Sequence, residues 1–174
     1  MSRGIAGPLR QALAAESRLR QRAVDAVDEA AAVHLGVNRT DLRCLDVLVE
    51  RERATPGQLA EALGLTSGSV TTMLDRLQRA GYVRRTPDAS DRRRVHVAPT
   101  PALLQAAASL YGPIASAGAT LLRRYTAEEL AVLLDYTRRD RELQEEQAAR
   151  FRSMAPARDR RQLAGRRGTR GKSR

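Results

Sequence analysis

Apolar positions along the chain fall at helical spacing almost throughout, with one change to strict alternation near the middle. From Pro8 to His34 an Ala-rich stretch places Leu9, Leu13, Leu19, Val24, Val27 and Ala31 for burial along one long helix, with residues 1–7 left loose. Asn38 caps the next helix, with Asp41 at its third position and Leu42, Leu45, Leu48 and Val49 as its apolar stripe. Thr55-Pro56-Gly57-Gln58 then combines a cap, a Pro at the first helical position and a Gln three residues on, which is a capping box. Leu59, Ala60 and Leu63 follow at helical spacing, Gly64 stops the helix, and Leu65 can fold back over the turn. Thr66 caps a further helix that runs to about Ala80, with Val70, Met73, Leu74 and Leu77 on one stripe.

Alternation begins after Gly81. Val83 to Thr86 predict one strand, Pro87-Asp88-Ala89-Ser90-Asp91 supply turn chemistry, and Val95 to Ala98 predict the return strand. Val95 and Val97 are expected to face in, Arg94 and His96 out. A second helical region follows from Thr100 to about Arg124, interrupted at Gly112-Pro113, where the missing N–H should kink or break it. Thr126-Ala127-Glu128-Glu129 is another capping box, and it opens a helix carrying Leu130, Leu133, Leu134 and Leu143. From Arg150 the periodicity dissolves into Arg, Gly, Ala and Pro, which predicts a disordered tail over 150–174.

A capped helix, a tight Gly turn, a Ser/Thr-rich helix and a basic hairpin occur in the order of a winged helix-turn-helix, here over residues 38–99. The fold expected is mostly α with a small β-wing. On the helix after Gly64, the polar side offers Thr66, Ser67, Ser69, Thr71, Thr72, Arg76 and Arg79. Short hydroxyl side chains let the backbone approach a groove and can bond bases or phosphates, and the helix N-terminus suits a phosphate. At the hairpin tip, Asp91, Arg92, Arg93 and Arg94 form a cluster suited to a narrow minor groove, with Asp91 placed to hold one arginine. Each feature has a plainer explanation, as a solvated helix face or as edge-strand charge that discourages aggregation.

These residues resemble the MarR family of bacterial transcriptional regulators, closely over Leu35 to Thr100. The pattern comprises Leu59-Ala60, Leu63-Gly64-Leu65, Ser69-Val70-Thr71, Asp75-Arg76-Leu77, Gly81-Tyr82-Val83 with Arg85, and Asp91-Arg92-Arg93. The resemblance implies that the helix at Thr66–Ala80 lies in the major groove, that Arg93 enters the minor groove and that Asp91 supports it. It also implies that the helices at 8–34 and 100–149 intertwine with a second copy, so that two reading helices meet successive major grooves of a pseudo-palindromic operator in double-stranded DNA. One departure is Pro99-Thr100-Pro101-Ala102, where the family often has Leu-Thr and a later Gly; Thr100 with Pro101 still starts a helix well.

Charge adds less than its total suggests. The formal net charge is +11, but residues 150–174 hold ten Lys/Arg and one acid, leaving only +2 for the rest. That tail can add salt-sensitive, nonspecific affinity for DNA. The single cysteine, Cys44, rules out an internal disulfide and points to the cytoplasm, as do the lack of a secretory leader and of an apolar run long enough for a membrane. Some MarR relatives sense oxidants through a cysteine, but Cys44 stands where a buried apolar residue is wanted and reads better as a small hydrophobe. His34 and His96 lack ligand spacing, so no metal or cofactor is expected, and no catalytic constellation is present. The expectation is a homodimeric, sequence-specific repressor released by a small molecule bound near Leu45, Tyr111 and Tyr125. The alternatives are a winged protein-interaction module and a nonspecific binder driven by the Arg-rich tail.

Overall fold

The computed structural model describes residues 3–88 and 94–154. Its elements are α1 (Arg3–Leu35), α2 (Arg39–Arg51), α3 (Pro56–Leu63), α4 (Ser67–Arg79), β1 (Val83–Pro87), β2 (Val95–Pro99), α5 (Pro101–Leu122) and α6 (Ala127–Ser153). The chain divides into two compact units, Met1–Ser116 and Ala117–Arg174.

The first unit is built on α4. Its stripe Val70, Met73, Leu74 and Leu77 is buried among Cys44, Leu45 and Leu48 of α2, Leu59 and Leu63 of α3, Val83 and Val97 of the sheet, and Leu103 of α5. The caps read from sequence are present. Thr55 accepts from Gln58 N while the Gln58 side chain accepts from Thr55 N, Asn38 accepts from Asp41 N, and Thr66 accepts from Ser69 N. Gly64 ends α3 at φ 67°, where a side chain would be strained, and Leu65 N–H closes on the Ala60 carbonyl at 2.9 Å. This turn is what sets α4 across α3 after only three residues of linker.

β1 and β2 pair antiparallel, from Val83 opposite Pro99 to Pro87 opposite Val95. Ala54, between α2 and α3, exchanges two backbone hydrogen bonds with Val97 at 2.8 and 2.9 Å, so the ribbon is stitched to the helical core at its base. Thr100 joins the ribbon to α5: its hydroxyl oxygen accepts from Leu103 N and is 2.7 Å from the Gly81 carbonyl, so the Thr-Pro junction does form a helix start. A smaller cluster of Ala31, Ala32, Leu35 and Leu42 seats the end of α1 on α2, and the Tyr82 hydroxyl donates to the Leu35 carbonyl at 2.9 Å.

The structure departs from the sequence reading at several points. Residues 1–7 are not wholly outside the first helix, because α1 reaches back to Arg3 with Pro8 inside it. Pro8 stands past the first turn of α1, so the helix continues there at the loss of one backbone donor. The helix is not broken at Gly112-Pro113: α5 is one helix with Pro113 inside. Leu9, Leu13, Leu19, Val24 and Val27 are spaced for burial but exposed in the single chain, as is Val49 on α2. His96 is half-buried rather than freely exposed on the outer face; its Nε2 lies 2.7 Å from Asp88 Oδ2 near the tip end of the ribbon.

The second unit contains α6, opened by the expected box of Thr126 and Glu129. No residue of α6 is buried, and Leu133, Leu134 and Leu143 are exposed.

Leu48 is fully buried at the meeting of α2 and α4. Leu48→Ala is expected to cost about 2–5 kcal/mol of stability through lost transfer energy and a residual cavity, read as a lowered midpoint in denaturant.

Candidate nucleic-acid interface

Burying one stripe of α4 leaves the other face open. Ser67, Gly68, Ser69, Thr71, Thr72, Asp75, Arg76, Gln78 and Arg79 are all exposed. Thr66, at the cap, is exposed as well, and its Oγ1 lies 2.9 Å from Ser69 Oγ. Gly68 has open space where a Cβ would stand, so with Ser67 and Ser69 it keeps the first turn slim enough to approach another backbone.

The hydroxyls on this face are partly committed. Thr71 donates to the Ser67 carbonyl at 3.0 Å and Thr72 to the Gly68 carbonyl at 3.2 Å. A hydroxyl has one proton and two acceptor sites, so in this conformation both threonines present lone pairs and methyl groups outward. Such a surface suits the amino group of adenine or cytosine and the thymine methyl; phosphate, which only accepts, would require the hydroxyls to rotate. Arg79, about two turns further along, is exposed and borders a shallow hollow with Asp75, Gln78 and Arg85.

Two side chains that the sequence left in minor roles determine how α4 is held. Arg85 of β1 donates to Asp75 Oδ1 at 2.6 Å and to Gln78 Oε1 at 3.3 Å, latching the ribbon to the helix. Asp41 of α2 is completely buried, the only buried charged side chain among the described residues. Arg76 donates to both its carboxylate oxygens, Nε to Oδ2 at 2.7 Å and Nη2 to Oδ1. That bond, opposed by partial desolvation, raises the arginine's pKa, so its charge is fixed. Arg76, expected on the DNA face alone, therefore looks both ways. Sequence carried a trace of both ties. Asp41 is in phase with Leu45 and Leu48, a charge at a core position, and Arg85 is in phase with inward-facing Val83.

Of the wing residues, Asp91, Arg92 and Arg93 lie outside the described residues. Arg94 is exposed at the base of the tip, where its carbonyl accepts from Asp88 N at 2.9 Å. Of the suggested effector contacts, Leu45 is sealed in the core around α4, Tyr111 packs half-buried on the smaller cluster, and Tyr125 belongs to the other unit. Leu45 and Tyr111 thus belong to different clusters of the first unit. An open cleft of about 580 Å³ lies elsewhere, between the end of α1, the start of α2 and α4, lined among others by Glu29, Val33, Arg39, Ser69, Met73 and Arg76.

Cys44 is buried beneath α4. Burial, then the nearby Asp41 carboxylate, push its thiol up to about 12, which opposes formation of a thiolate. Among the described residues there is no cluster of three or more His, Cys, Asp or Glu that could hold a metal, and no helix long and apolar enough to cross a membrane.

A helix presenting its polar face beside a two-stranded ribbon, both fixed to one core, defines a winged helix-turn-helix. Comparison with known proteins takes this further. Residues 35–94 match the sequence profile described as MarR family. The chain is 39% identical over 124 residues to YcgE of Bacillus subtilis (strain 168), described as an uncharacterized HTH-type transcriptional regulator, covering 71% of this chain and 80% of that one. It belongs to the MarR family of transcriptional regulators. Similar solved structures include apo wild-type MarR from E. coli, at 25% identity and TM-score 0.50 over 73% of this chain and 94% of that one. A MepR–DNA complex from S. aureus shares the fold at 19% identity and TM-score 0.54, over 72% and 96% of the two chains.

The Cys44 thiol stabilises the fold in its neutral form. Its pKa is higher folded than unfolded, so that contribution is whole below about pH 9 and fades as pH climbs towards 12. Cys44→Ala should therefore flatten the alkaline fall in melting temperature over that range relative to the parent; parallel pH profiles of thermal melts check this.

Proposed function

We infer that the protein is a homodimeric, sequence-specific DNA-binding regulator that reads a two-fold symmetric operator with α4 in the major groove. The observation that carries this is the exposed face of α4, where hydroxyls, an open glycine and Arg79 stand opposite a fully buried stripe. Thr66, Ser67, Ser69, Thr71, Thr72 and Arg79 are the residues assigned to that contact. Asp91, Arg92, Arg93 and Arg94 are assigned to the wing, with Arg93 directed at the minor groove by resemblance to the family. One solved relative, MepR, is described in complex with DNA.

Dimerisation is supported by what one chain leaves uncovered. Leu9, Leu13, Leu19, Val24 and Val27 on α1 and Leu133, Leu134 and Leu143 on α6 are exposed, and no residue of α6 is fully buried. Helices of 33 and 27 residues with that much bare apolar surface gain their stability from a partner. A two-fold pair would present two copies of α4 about 34–36 Å apart, one turn of DNA. The working place is the cytoplasm, where the DNA is, and the protein acts without catalysing a reaction.

Release by a small molecule is supported by two features of the first unit. One is the cleft whose wall includes Ser69 and Arg76, so that an occupant would touch α4 directly. The other is the Tyr111 hydroxyl, enclosed and without a hydrogen-bond partner. An effector acts here by binding the DNA-incompetent form more tightly, which shifts the population away from the operator-bound one.

Selection from a random DNA pool is expected to return a two-fold symmetric motif with half-sites about 10–10.5 bp apart, and an asymmetric or absent motif would refute this reading. On the selected site, replacing Thr72 by Val should change preference at particular base pairs by about 1–3 kcal/mol, as expected for a direct contact. Removing residues 150–174 should flatten the salt dependence of binding and leave that preference in place.

A further inference from the structure

The apolar stripe of α4 fixes which face turns inward, but hydrophobic contact is not directional and sets the fine rotation less sharply. A two-pronged guanidinium–carboxylate pair is directional: both donors must lie in the plane of the acceptor. Asp41 and Arg76 make such a pair, with Nε on Oδ2 at 2.7 Å and Nη2 on Oδ1. The carboxylate has no exposure to water, so it cannot be left without its counter-charge, and Arg76 meets it from 35 residues further along the chain. The arginine side chain keeps 44% of its exposure, so the pair spans the distance from the buried core to the open face. On the neighbouring residue, Asp75 is pulled the other way by Arg85 of the wing at 2.6 Å. Consecutive residues on a helix point about 100° apart, so the two ties brace α4 against rolling in either direction.

We propose that Asp41 is a positioning residue for DNA recognition. Acting through Arg76, it sets the rotation of α4 about its axis and so decides which of Ser69, Thr72 and Arg79 meet base edges. Arg76 is the strut of this arrangement and not a reader of bases, because two of its three nitrogens are turned inward to the carboxylate. This rests on α4 being the major-groove helix.

The discriminating variant is Arg76→Lys. Lysine keeps the counter-charge Asp41 requires, so the fold survives, but it lacks the planar fork that gives the pair its direction. Affinities for the selected operator and for random duplex are measured at one salt concentration, below the melting transition of each variant. Arg76→Lys is expected to leave random-duplex affinity within about twofold while lowering the operator-to-random ratio by about tenfold or more, the loss spread over every base pair of the half-site. Asp41→Asn should produce the same pattern, and Asp41→Asn combined with Arg76→Lys should be no worse than the more damaging single change, because both act through one pair. If Asp41→Asn does not fold, Arg76→Lys alone decides. An unchanged operator-to-random ratio for Arg76→Lys overturns the proposal. So does a loss confined to one base pair, which would make Arg76 a reader. Failure of the underlying reading looks different: the unmodified protein would then show no operator preference before any substitution is made.

Discussion

The constraint on which everything else depends is the burial of one stripe of α4. Val70, Met73, Leu74 and Leu77 can be covered only if α2, α3, the sheet and α5 close around them from one side. That closure fixes the remaining face as the outward one, and it is the face that carries Ser67, Ser69, Thr72 and Arg79. The left-handed turn at Gly64, the cap at Thr66 and the Ala54 bridge to Val97 are the local means by which a short chain reaches this arrangement. Folding and recognition thus share one element, and a change that loosens its packing acts on both.

Charge then refines what apolar packing leaves free. The buried Asp41 is a liability unless Arg76 meets it, and Arg85 ties the wing to the adjacent turn of the same helix. The high net charge of the protein plays little part in this, since most of it lies in residues 150–174. A basic tail supplies attraction to any polyanion, whereas discrimination requires donors and acceptors held at fixed positions. The same logic separates Arg79, free to reach outward, from Arg76, half withdrawn to serve the core.

Sequence made the first unit legible because its features are local. Each cap, the Gly64 stop, the stripe of α4 and the alternation from Val83 to Ala98 depend on residues within a few positions of one another. What stayed hidden depends on distant partners. Asp41 looked like an ordinary first-turn acid until Arg76 stood opposite it, and His96 looked exposed until Asp88 closed on it. Pro113 was read by its local rule, which predicts a kink or a break, and the helix continues unbroken through the lost donor. The leucines of α1 and α6 were expected to want cover, and one chain does not provide it, since their spacing says that a face is apolar and not what lies against it.

The central claim is that the exposed face of α4 enters the major groove twice, once from each protomer. Methylation protection of guanine N7 on the bound operator tests it most directly, because that atom is reached only through the major groove. The account predicts two protected windows on one side of the duplex, centred about 10–10.5 bp apart, with both windows lost in a variant carrying Ser69→Asp and Arg79→Ala. Tight, sequence-selective binding that leaves every guanine N7 open to methylation would contradict it.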